Sequence, residues 1–248
     1  VLVNNCELDI DMTSQTYADA TAKNYYAGLF GKYVSYAGSN LTINNVISKG
    51  AKIVRDNDHY VSQLIACVES PVTPTTLPTI EMNDITISGS VENTVAKDTC
   101  YLGGVIAAMN ENKEDGSIHT SWKNDTENWQ SYEIERSVLT VDGLTISDFT
   151  LTNSSSAYRS SGFLGFWWLD VDATLQNVVI GEAGKPNTLQ TNKRFGGLIN
   201  EVTGKMVLDN ISVKNTLMNN TNTKKHSAVL VAVAERAFLT VRDYVTDE

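Results

Sequence analysis

The stretch Leu139-Thr140-Val141-Asp142-Gly143-Leu144-Thr145-Ile146 constrains the fold more than any other, because its pattern recurs along the whole chain. It reads apolar-polar-apolar, two turn-type residues, then apolar-polar-apolar: two short half-buried strands meeting at a kink. The same eight-residue unit occupies Val1 to Leu8, Leu41 to Ser48, Ile80 to Ile87, Ala173 to Ile180, Met206 to Val213 and Leu239 to Thr246. The fifth residue of the unit is Asn5, Asn45, Asp84, Gly143, Asn177, Asn210 or Asp243. Asn, Asp and Gly tolerate a left-handed backbone at least cost, so this position is expected to turn the chain while the flanking apolar residues keep pointing inward. Stacked Asn side chains are expected to hydrogen-bond along the column, as amide ladders do in cross-β stacks.

A second element lies between successive units. Its copies run from Ala27 to Tyr33, Ser62 to Val68, Gly103 to Met109, Ser161 to Trp167, Gly196 to Val202 and Ala228 to Ala234. Each repeat therefore offers three short strands, of which two meet at the kink. Strands this short gain stability by stacking on their equivalents about 4.8 Å away, which buries one continuous core. The expected fold is all-β: a single right-handed parallel β-helix with three short strands per rung and about six to seven rungs. The connections after the paired strands, such as Lys49 to Val61 and Gly181 to Arg194, read as loops of about a dozen residues. The opposite connection swells once, to Asn110 through Val138, and this insertion contains Trp122, Trp129 and Tyr132. Long excursions from a regular scaffold often carry function, so those aromatics form a candidate ligand-binding loop.

The glycine-centred third strand resembles two known repeat types. Gly28-Leu29-Phe30-Gly31 and Gly162-Phe163-Leu164-Gly165 look like the GLUG repeat of bacterial surface proteins. Gly103-Gly104-Val105-Ile106 and Gly196-Gly197-Leu198-Ile199 look like the GGA(I/L/V) repeat of polymorphic outer-membrane adhesins. Both belong to the pectin-lyase-like right-handed β-helices, so the resemblance implies that fold and a secreted or surface-displayed role. The adhesins' companion FxxN motif is absent; the nearest stretch, Phe149 to Asn153, has one residue too many.

Strand parity suggests where a partner would dock. Leu29, Leu64, Val105, Phe163, Leu198 and Leu230 share one parity with apolar residues and are expected inside. The other parity contains Lys32 and Glu201 and is expected outside, yet it carries Phe30, Ile65, Ile106, Leu164, Ile199 and Val231. Stacked, these six would form an exposed apolar stripe on the order of several hundred Å², which calls for a cover. Homotypic packing, a neighbouring domain of the same chain, or the insertion would supply it. The outward column of the first strand (Thr42, Glu81, Thr140, Thr174, Val207, Thr240) is too interrupted to read as an ice-binding ladder.

Charge and chemistry narrow the function classes. A formal charge of −10 argues against nucleic acid, whose phosphates require clustered Lys and Arg. Cys6, Cys67 and Cys100 have no metal spacing; Cys6 reads as a buried thiol, and whether Cys67 and Cys100 pair is open. His59, His119 and His226 share no ligand spacing, Asp56-Asn57-Asp58-His59 is only a fragment of a calcium loop, and no cofactor or metal is expected. Asp170 and Asp172 are the best local carboxylate pair, and nearby aromatics would suit a sugar. No transmembrane run is seen, and no direct membrane insertion is expected of this segment. Five Asn-x-Ser/Thr sequons, at Asn40, Asn124, Asn153, Asn210 and Asn219, are about what this composition produces. Neither end of the chain carries a polar capping repeat, so residues 1–248 are read as one β-solenoid segment of a larger protein. The expected function is a non-catalytic extracellular or cell-surface scaffold in an adhesin, stalk or filament, binding protein laterally or through its insertion, with a cell-surface glycan as a further partner. The alternatives are a carbohydrate-active β-helix (polysaccharide lyase or glycosidase) and a glycan-binding module.

Overall fold

The computed structural model describes residues 1–10, 24–34, 40–50, 59–69, 78–93, 100–110, 137–154, 162–192, 195–221 and 227–246, without the side chains of Asn24, His59, Cys100, Phe166, Trp167, Asp170, Glu235 and Arg236. These residues are all-β, built around a large parallel sheet of many strands. In chain order the strands are β1 (Leu2–Asp9), β2 (Asn24–Tyr26), β3 (Phe30–Val34), β4 (Asn40–Lys49), β5 (His59–Val61), β6 (Ile65–Glu69), β7 (Thr79–Asn93), β8 (Cys100–Leu102), β9 (Ile106–Met109), β10 (Ser137–Asn153), β11 (Gly165–Ile180), β12 (Asn187–Thr191), β13 (Phe195–Gly196), β14 (Ile199–Val213), β15 (Thr216–Asn220), β16 (Ser227–Ala228) and β17 (Val231–Thr246).

The seven eight-residue units lie in β1, β4, β7, β10, β11, β14 and β17, and they stack in that order with all pairs parallel. Register follows the sequence columns: Thr42 faces Glu81, then Thr140, Thr174, Val207 and Thr240. All seven kink residues have positive φ, from 47° at Asp243 to 56° at Asn177 among the side-chain-bearing ones and 76° at Gly143. That single left-handed residue resets the strand phase. In β4, Leu41 and Ile43 point inward before the kink and Val46 after it, all fully buried. In an unbroken strand residues 43 and 46 would face opposite sides. Each buried aliphatic side chain in such a column contributes roughly 1.5–3 kcal/mol.

The reading of three short strands per repeat undercounts. In β11, β14 and β17 the third element runs unbroken into the paired strands, with irregularities between Trp168 and Val171 and between Val202 and Gly204. The supposed long loops also begin as strand. A second bend follows four of the units, marked by positive φ at Gly89, Asp148, Gly181 and Asn215. After it, the end of β7, the end of β10, β12 and β15 stack in parallel. Val91, Leu151 and Leu189 are fully buried in this column, and two residues on Asn93 donates from Nδ2 to Asn153 Oδ1 at 3.2 Å. In β7 and β12 one apolar residue of this segment faces the core, Val91 or Leu189, and in β10 Phe149 joins Leu151, which is too little alternation to read as strand from sequence.

Candidate binding surfaces

The expected apolar stripe is not a surface. Ile65, Ile106, Leu164 and Ile199 are buried, while Phe30 and Val231 are half-buried and packed against the main core. The cause is a bend just before each third strand, so that two consecutive residues, such as Leu64 and Ile65 or Leu198 and Ile199, both enter the core. Parity counted across that bend fails. The fourth copy also slips by one: Leu164 is level with Val105 and Leu198, and Gly165 stands where the neighbours carry Ile106 and Ile199. The Trp168 indole fills that gap and donates from Nε1 to Ile106 O at 3.0 Å. A Cβ at Gly165 would lie only 2.2 Å from Trp168 Nε1, so the glycine and the indole are one packing unit. Trp168, not Trp167, therefore joins Met109 and Val202 in the inward column.

The other face of the third strand is buried too, by a feature that parity reasoning missed. Tyr25, Tyr60 and Tyr101 stack with centroids 5.1 and 4.5 Å apart and planes within 15° and 12° of parallel. They pack on small side chains, Ala27, Ala66, Cys67 and Ala108. At the outer end of the stack Lys32 lies 5.5 Å from the Tyr25 centroid and pairs with Glu69 at 2.6 Å. The signal was present: in each of the first three repeats a Tyr stands four residues before the core residue Leu29, Leu64 or Val105.

Trp122, Trp129 and Tyr132 lie outside the described residues, but the root of their insertion is defined. Asn110, at φ +59°, donates from Nδ2 to Leu169 O at 2.7 Å and to Ser137 Oγ at 3.0 Å. The Ser137 hydroxyl donates back to Asn110 Oδ1 at 3.3 Å, and both residues are buried. The insertion thus leaves and re-enters the stack at one clamped point.

The exposed kink edge carries a hydrogen-bonded ladder. Asn45 donates to Asn5 Oδ1, and Asn210 to Asn177 Oδ1, each at 2.7 Å. At Gly143 the column has no side chain, and the preceding residue substitutes: Asp142 Oδ1 accepts from Asn177 and Oδ2 from Gln176, both at 2.7 Å. In the same preceding column Asn83 donates to Asn44 Oδ1 at 2.8 Å. At the second bend Glu182 pairs with Lys185 at 3.1 Å; hydrogen bonds from Lys185 and then Ser147 hold its carboxyl below the usual range.

Among the described residues the remaining sequence candidates do not assemble into a centre. Asp172 stands opposite Lys205 in register, and the side chain of Asp170 lies outside the described set. The phase breaks between Trp168 and Leu169, both buried; from there Leu169, Val171, Ala173 and Leu175 are buried in alternation, and Asp172 lies on the other, half-exposed side of the strand. Cys6 is partly buried against the core and Cys67 fully buried beneath the tyrosines. Cys100 pairs through its backbone with His59. Asp56, Asp58, His119 and His226 lie outside the described residues, among which no group of three or more His, Cys, Asp or Glu is placed to hold a metal ion. Of the sequon residues, Asn153 is buried in its ladder and Asn210 is engaged in the kink ladder, while Asn40 and Asn219 are exposed. No protein-family model, curated protein or solved structure matches this chain.

Proposed function

We propose that the chain is a non-catalytic scaffold: a right-handed parallel β-helix of about six to seven rungs, forming a segment of an extracellular adhesin, stalk or filament protein. The observation that carries this reading is the in-register parallel stacking of seven equivalent units, tied along the stack by side-chain ladders. Right-handedness follows the strong preference of parallel crossover connections. Because neighbouring repeats contact each other through continuous sheet, the stack resists bending and holds each repeat's loops at fixed intervals. The resemblance of the glycine-centred segments to repeats of surface proteins supports an extracellular placement. With Ile65, Ile106, Leu164 and Ile199 inside the core, lateral recognition falls to the insertion rooted at Asn110 and Ser137. Trp122, Trp129 and Tyr132 are the contact residues in this reading, and a glycan or protein at a cell surface is the partner.

The test has two arms. The purified chain is incubated with a panel of acidic and neutral polysaccharides, and reducing ends and unsaturated products are followed; none is expected above background. Cleavage that disappears in an Asp170→Asn/Asp172→Asn double variant would overturn the scaffold reading in favour of a lyase or glycosidase. In the second arm, binding to a glycan array and to cultured cells is expected to fall at least tenfold on replacing Trp122, Trp129 and Tyr132 together by Ala. Unchanged binding would remove the insertion from the proposal.

A further inference from the structure

We draw no further inference here: the strongest candidate, the apolar groove between the outer edge of β15 and the end of β17, lined by Val213, Leu217, Met218 and Val229, carries none because nothing in the structure shows what covers it.

Discussion

Replacing Gly143 by Asn would extend the kink ladder through the one unit whose kink residue lacks a side chain. The backbone there already has φ +76°, close to the 47–56° of its six side-chain-bearing equivalents. A Cβ would meet Asp84 Oδ1 at 2.9 Å and nothing else closer than 3.4 Å, and the Asp84 carboxylate can rotate away. The new amide would donate from Nδ2 to Asp84 and accept from Asn177, whose Nδ2 now reaches across to Asp142. Losing glycine's freedom in the unfolded chain stabilises by about 0.4–1 kcal/mol. The left-handed backbone costs an ordinary residue about 1–2 kcal/mol, with Asn at the low end. One added hydrogen bond at an exposed carboxylate contributes about 1 kcal/mol. The sum for Gly143→Asn is a gain of about 0.5–1 kcal/mol, whereas Gly143→Ala, with the strain and no hydrogen bond, should lose about 1 kcal/mol. Urea unfolding followed by far-UV circular dichroism measures both, with the slope expected to stay constant. If Asn proves no more stable than Ala, the ladder contributes nothing at this edge and the reasoning fails.

Four further outcomes follow from the same contacts. Asn177→Ala removes a donor to Asp142 and an acceptor for Asn210, and should cost about 2–3 kcal/mol, while Asn177→Gly recovers the backbone part and costs about 1 kcal/mol less; equal losses would refute the left-handed strain. Asn200 is fully buried with neither side-chain polar atom hydrogen-bonded, so Asn200→Ala should be neutral or stabilising by about 1 kcal/mol in thermal unfolding, and a loss above about 2 kcal/mol would contradict it. Excising residues 111–136 in favour of a single Gly should preserve the β-sheet spectrum, because the fourth repeat already spans Leu169 to Val171 with one residue where the third has its insertion; loss of folded protein would argue that the insertion is structural. Ile106→Asp should destabilise by more than about 3 kcal/mol, since a charge would enter the core, whereas an exposed stripe would tolerate it with little change in melting temperature.

The kink column was readable because left-handed backbone restricts the residue type so strongly that Asn, Asp and Gly mark it without any structure. Alternation within each unit then placed Leu41, Ile43 and Val46 correctly, and with them the outward Thr and Asn columns. Legibility ended at the other corners. A bend that drives Leu64 and Ile65 into the core together leaves no trace in periodicity, since both are simply apolar. Gly165 looked like the motif glycine of the first repeat, but it makes room for Trp168, a choice decided by volume between strands and not by local preference. The strands after the second bend were hidden because Asn93 and Asn153 occupy inward positions, and an inward polar residue reads as loop until its partner on the next strand is seen. The insertion's length and aromatics are all that point to binding, and among the described residues the structure adds the clamp at its base.

The kink edge also says something about how such a chain can grow over evolutionary time. Along that edge the amides of Asn45, Asn83, Gln176, Asn177 and Asn210 all donate toward the preceding repeat. An amide gives in one direction and receives in the other, so a repeat bearing Asn can follow or precede any like itself, and duplicating it leaves no mismatch. A carboxylate receives only: it can be followed by Asn177 but cannot answer an oxygen behind it. Carboxylates along this edge therefore act as punctuation. By hydrogen bonding alone, a repeat can be copied or deleted between asparagines without leaving a mismatch, whereas next to Asp84 or Asp142 the neighbour must be a donor.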